Sequence, residues 1–127
     1  MKIFGVGTDI VKVSRFKHSL KNKLFLTRIF NNKEIAKCKK KLNHSNCFAK
    51  RFAAKEAFSK ALGTGISEGI NFNEIIILNE KNGKPIIKLL NKTKKIVEKK
   101  IKKKKYKISL SIADEKNYAV AFVAISI

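Results

Sequence analysis

The sequence predicts one α+β domain spanning residues 1–127, in the order β-ααα-ββ-α-ββ with mainly antiparallel pairing. Three observations predict it. After one opening strand, the first half carries helix punctuation and apolar residues at helical spacing. The second half breaks into short β-branched runs joined by turn residues. The length, 127 residues, suits a single modest core, and neither an internal repeat nor a linker interrupts it.

Residues 3 to 13 read as the opening strand, with Ile3, Gly5, Gly7, Asp9, Val11 and Val13 on one face and Phe4, Val6, Thr8, Ile10 and Lys12 on the other. Ser14 is placed to cap a short helix through about Asn22. Asn31 followed by Glu34 forms an Asn variant of the capping box and opens a second helix to about Leu42. A third runs from near Ser45 to Gly63, where Gly63 and Gly65 suit the left-handed turn that ends a helix. Glu74 to Glu80 is a strand, and Asn82-Gly83 turns it into a second one, Pro85 to Leu90. A helix from Asn91 or Thr93 to about Lys104 follows. Two further strands, Tyr106 to Ala113 and Tyr118 to Ile125, close the chain.

Composition narrows the functional classes. No run approaches the roughly 20 apolar residues that span a bilayer. Asp9 interrupts the amino-terminal apolar run and no small-residue cleavage site follows, so no signal peptide is expected. Cys38 and Cys47 make no disulfide framework, and with His18 and His44 they lack zinc-site spacing. Two reduced thiols in a cytoplasmic protein are expected.

The net charge is +21, from 30 basic and 9 acidic residues. Such a field attracts polyanions: nucleic acid, acidic proteins or phosphorylated cofactors. Yet 27 of the basic residues are lysine, alongside 17 isoleucines and 11 asparagines, all with A/T-rich codons. Base bias therefore competes as the source of the charge, and it makes the three arginines, Arg15, Arg28 and Arg51, more informative. The run Lys99 to Lys107 reads as a solvated helix end. A nucleic-acid-binding module remains an alternative on charge, although no helix-turn-helix, zinc-finger or aromatic stacking motif supports it.

Two acids stand out. Asp9 shares a face with apolar residues, where a carboxylate is costly unless a cation or donor meets it. Gly5 and Gly7 beside it leave space for a ligand, or Asp9 is simply paired with a lysine. Glu56 borders the buried arc Ala53, Ala54, Ala57, Phe58 and Ala61, with Lys60 one turn on and a polar stripe of Arg51, Lys55 and Ser59 alongside. Taken alone, an exposed Glu–Lys pair accounts for it better. The alanines favour a strand packed close to this helix. Magnesium takes one or two protein carboxylates and completes its shell with phosphate oxygens and water, which suits this pair. Gly63-Thr64-Gly65 offers backbone N–H groups to a phosphate, or is only a helix stop.

Gly5-Val-Gly-Thr-Asp9-Ile, then Arg51-Phe-Ala-Ala-Lys-Glu56-Ala-Phe-Ser-Lys60-Ala-Leu-Gly-Thr-Gly65-Ile, then Asn82-Gly83-Lys84-Pro85 together resemble the holo-acyl-carrier-protein synthase family. The likeness extends over essentially the whole chain. It implies a 4'-phosphopantetheinyl transferase-like fold and transfer of 4'-phosphopantetheine from coenzyme A to a serine of apo acyl carrier protein. A small cytoplasmic homotrimer with sites at subunit interfaces is implied too. On the resemblance, Asp9 and Glu56 bind Mg2+, and Glu56, Asp9 and Lys60 are catalytic. Arg51, Lys60, Gly63, Gly65, Gly83 and Pro85 lie along coenzyme A, and Arg15 and Arg28 face the acidic carrier. Neither a membrane nor a specific nucleic acid is an expected partner. Some relatives carry a histidine in the penultimate strand where this chain has Ile112. A magnesium-dependent coenzyme A hydrolase is the other alternative, differing only in the acceptor.

Overall fold

The computed structural model describes residues 1–64, 68–103 and 105–127. Its elements follow the expected order: β1 (Ile3–Lys12), α1 (Val13–Ser19), α2 (Lys23–Ile29), α3 (Asn32–Lys39), α4 (His44–Leu62), β2 (Ile75–Asn79), β3 (Pro85–Leu89), α5 (Asn91–Ile101), β4 (Lys107–Asp114) and β5 (Tyr118–Ser126). Helix α2 is additional. Its cap is Asn22, whose side chain accepts from the N–H groups of Leu24 and Phe25. With one apolar turn only, that helix has too short a period to stand out in sequence. Helix α1 begins at Val13, so Ser14 lies inside it and caps nothing. The Asn31–Glu34 capping box forms as expected.

β1, β5 and β4 make one antiparallel sheet in that order, and β2 and β3 a separate hairpin. On the inner face of the sheet Ala119, Ala121, Val123 and Ile125 are buried beneath α4. Helix α4 can approach closely because small residues meet at the contact, Gly5 against Ala61 and Gly7 against Ala57, with Ala53 and Ala54 also buried. A methyl group added at Gly5 would collide with the Ala61 carbonyl, and one at Gly7 with the Ala57 carbonyl. The space left by these glycines is therefore filled by helix backbone, and no ligand can occupy it. At the far end of α4 the rings of Phe16, Phe25, Phe30, Phe48, Phe52 and Phe72 stack into one cluster, with Phe30 and Phe48 at 4.9 Å between centroids. Each such burial contributes about 1.5–3 kcal/mol.

Two expectations are corrected. Arg51, Lys55 and Ser59 do not form a solvated stripe; all three are buried. Lys55 Nζ donates to Glu34 Oε1 at 2.6 Å and to the carbonyls of Ile29 and Phe72 at 2.8 Å, using all three of its protons. Glu34 also accepts from the N–H groups of Asn31 and Ile77. Burial pulls the Lys55 ammonium down to about 8, while Glu34 opposes the fall. This pair ties α2, α3, α4 and β2 to one point.

The cysteines are the second correction. Cys38, at the end of α3, and Cys47, in the first turn of α4, are joined in a buried disulfide with Cα atoms 5.4 Å apart. Their separation of nine residues is what the tight α3–α4 connection folds back on itself. Closing that loop removes unfolded-chain entropy worth about 2–3 kcal/mol.

Candidate functional site

Asp9 and Glu56 face one cleft of about 520 Å³, together with Lys60, Arg15, Phe16, Phe25 and Phe52. Strand β1 presents Asp9 and helix α4 presents Glu56, and the glycine–alanine contact brings the two elements together. Lys60 Nζ donates to Asp9 Oδ1 at 3.2 Å and to the Thr8 carbonyl at 3.0 Å. The lysine pairing expected of Asp9 is present, and the pair opens onto a cleft. Burial raises the Asp9 carboxyl above its usual range, against the pull of Lys60. Burial raises Glu56 as well, and the neighbouring charge of Asp9 adds to it while Lys60 opposes. Two partly desolvated carboxylates on one cleft suit a small hard cation. All their donor atoms are oxygens, as magnesium requires. The residues present therefore fit the metal implied by the sequence.

A second groove of about 540 Å³ is lined by Lys37, Lys41, Lys50, Arg51, Asn79, Gly83, Pro85, Ile112 and Asp114, among others, and shares no residue with the first. Arg51, Gly83 and Pro85, expected along one ligand, do meet here. They do not meet Asp9, Glu56 and Lys60 within one chain. Gly83 stands at the hairpin turn with φ +90°, a conformation that favours glycine. Ile112 lines the same groove. Gly63 closes α4 at φ +86°, and its N–H is spent on the carbonyls of Ser59 and Lys60. The N–H of Thr64 likewise goes to Ser59. Neither is a spare donor for phosphate, and Gly65 lies outside the described residues. Arg15 lines the acid cleft, whereas Arg28 stands exposed in the last turn of α2.

Sequence reasoning missed Asn79 and Lys37, which join Arg51 in the second groove. An asparagine after a strand and a lysine among 27 carry no signal of their own. Their juxtaposition is a tertiary event.

A sequence model of the 4'-phosphopantetheinyl transferase superfamily matches residues 5–123. The chain belongs to that superfamily. It is a phosphopantetheinyl transferase, and the nucleic-acid-module alternative is set aside. Relatives include holo-[acyl-carrier-protein] synthases of Pelagibacter ubique, 50% identical over 123 residues (97% of this chain and 96% of that one), and of Ehrlichia canis, 47% identical over 128 residues (97% and 94%). Among solved structures, the synthase of Neisseria meningitidis superposes with a TM-score of 0.86 at 35% identity, covering 98% of this chain and 99% of that one. The synthase of Bacillus anthracis in complex with CoA (3',5'-ADP) gives a TM-score of 0.80 at 34% identity, covering 99% and 98%. The superfamily match takes in β1 with Asp9, α4 with Glu56, and the Gly83 hairpin alike.

Proposed function

We propose that Asp9, Glu56 and Lys60 are the reaction centre of this transferase and that the Arg51 groove receives the nucleotide end of its donor. The reaction is transfer of 4'-phosphopantetheine from coenzyme A to a serine of apo acyl carrier protein, with release of adenosine 3',5'-bisphosphate. The observation that carries the site assignment is the convergence of two desolvated acids and one lysine on a single open cleft.

Asp9 and Glu56 would hold magnesium, which would supply charge neutralisation on the pyrophosphate when bound. The serine hydroxyl is a poor nucleophile at neutral pH and needs a proton acceptor. Glu56, which faces the open cleft beside Asp9 and Lys60, is our candidate for that acceptor. Lys60, half exposed beside Asp9, is placed to meet a phosphate oxygen without leaving the cleft. Arg51, Gly83 and Pro85 bind the adenosine bisphosphate portion, with Arg51 toward its phosphates.

Mass spectrometry of apo acyl carrier protein after incubation with coenzyme A tests the reading. One phosphopantetheine should add to the carrier with magnesium, none with excess chelator, and product should return when magnesium is restored. Transfer that survives chelation would overturn the metal assignment. Adenosine bisphosphate forming equally fast without carrier would indicate the hydrolase.

Arg15, on α1 at the rim of the acid cleft, and Arg28 on α2 face the acidic carrier in this reading. Arg15→Ala should raise KM for acyl carrier protein roughly three- to tenfold and leave KM for coenzyme A within about twofold. Equal rises in both constants would sink the docking role.

The active unit in this reading is a homotrimer. The two halves of the site lie in separate clefts of one chain, so a neighbouring chain must bring its Arg51 groove to this chain's acids. The outer face of the sheet offers the contact: Val6, Ile10, Val120 and Phe122 are exposed there. No described helix is long and apolar enough to cross a membrane. A cytoplasmic location accords with the two substrates, and fractionation of native cells checks it.

A further inference from the structure

The second groove contains an arrangement that its substrate-facing residues alone do not explain. Asn79, the last residue of β2, accepts from Lys37 Nζ at 2.9 Å and from Arg51 Nη2 at 3.5 Å on the same oxygen, Oδ1. Its amide nitrogen donates to the Gly83 carbonyl at 3.0 Å. One exposed side chain thereby links α3, α4 and the hairpin turn. The amide oxygen thus holds together two cations that repel each other. Burial, Arg51 and Lys41 together hold the Lys37 ammonium below its usual range. Asp114, a carboxylate in the groove lining, is engaged by Lys50 at 3.9 Å and Asn46 at 3.4 Å, while Glu34 acts on Arg51 from the core.

Arg51 is the groove's fixed cation. The residue is 5% exposed, and Nη1 is held on the Cys47 carbonyl and sulfur at 3.4 and 3.1 Å. Its Nε is buried and has no hydrogen-bond partner among the described residues. Nη2, which meets Asn79 at the groove, is the guanidinium nitrogen placed to receive an anionic oxygen there.

We propose that Asn79 is a positioning residue for the donor nucleotide: it gathers Lys37 and Arg51 at one point and locks the Gly83 turn against them, forming a single edge that receives a phosphate group. Lys37 is thereby a further phosphate-binding cation, contributed by α3. The inference rests on the reading that the Arg51 groove holds the nucleotide end of coenzyme A.

Steady-state transfer assays on wild type, Asn79→Ala, Asn79→Gln, Lys37→Ala and Arg51→Ala test it, with melting temperatures measured alongside. Asn79→Ala should raise KM for coenzyme A about tenfold, the scale of lost hydrogen bonds to charged groups, with kcat within about twofold. Its melting temperature should stay within about 3 °C of wild type, as for other exposed substitutions. Asn79→Gln, which keeps the amide one methylene farther out, should recover part of the loss. Lys37→Ala should raise KM in wild type but have little further effect in the Asn79→Ala background, because the two act as a unit. If Arg51→Ala raises KM and Asn79→Ala does not, the positioning role falls and the groove reading stands. If Arg51→Ala leaves KM unchanged, both fall. If KM, kcat and melting temperature of Asn79→Ala all deteriorate together, Asn79 is only a brace of the hairpin and the proposal fails.

Discussion

Glu56→Gln is expected to lower kcat for transfer by roughly 10²- to 10³-fold, the usual range for loss of a positioned proton acceptor and metal-facing charge. Glutamine keeps the size and the polar contacts of the side chain, so KM for coenzyme A should change only a few-fold. Stability should move the other way. Burial and the charge of Asp9 raise Glu56, and burial raises Asp9. A carboxyl whose folded value is raised binds protons more tightly in the folded state. Its contribution is favourable at low pH and is lost as pH climbs through the ordinary carboxylate range toward the raised value. Metal-free Glu56→Gln should therefore lose less stability than wild type between acidic and neutral pH. Its melting temperature at neutral pH should equal or exceed wild type. A thermal melt in chelator and a single-turnover transfer assay decide the matter. Near-wild-type turnover would remove Glu56 from the chemistry, and a collapse in melting temperature would make its role structural.

Phe122→Glu is expected to yield monomers and to reduce transfer at least about 100-fold, because a buried unpaired charge at an interface costs several kcal/mol. Phe122 stands at the middle of β5, paired with Thr8 of β1 and Ser111 of β4, on the face turned away from α4. It is 46% exposed and Ile10 on the same face is 64% exposed, areas that one chain alone leaves in water. The substitution touches neither cleft, so the far-ultraviolet spectrum should be preserved. Sedimentation gives the mass and the transfer assay the activity. A second measurement isolates the shared site. At low coenzyme A, mixed and reassembled Arg51→Ala and Glu56→Gln chains should exceed the sum of their separate activities, since some interfaces then pair an intact groove with intact acids. A fully active Phe122→Glu monomer would refute the shared-site reading.

Much of the scaffold was legible from local patterns. The capping box at Asn31 and Glu34, the Asn82-Gly83 turn and the left-handed Gly63 each act over a few residues, and each forms where it was expected. The Asp9 and Glu56 pair was visible as acids beside apolar positions. Other features were not visible, because a one-residue environment cannot reveal a partner remote in the chain. Lys55 read only as part of a polar stripe, and its enclosure by Glu34 and two carbonyls was not visible. The cysteines looked reduced because a pair of cysteines says nothing of how near a helical turn will bring them. Gly5 and Gly7 looked like room for a ligand, and became the seats of helix carbonyls.

By itself the sequence determined the superfamily and the order of elements apart from α2, and it marked Asp9 and Glu56 as acids beside apolar positions. These depend on short-range periodicity, capping and ordered motifs, all written along one line. Only the tertiary structure decided that Asp9, Glu56 and Lys60 share a cleft while Arg51, Gly83 and Pro85 share another. That division follows from the close packing of α4 on β1, which a glycine–alanine contact sets, and from a hairpin that closes on α3 and α4 through Asn79. Such distances are properties of packed backbone and side chains in three dimensions, and no spacing along the chain encodes them.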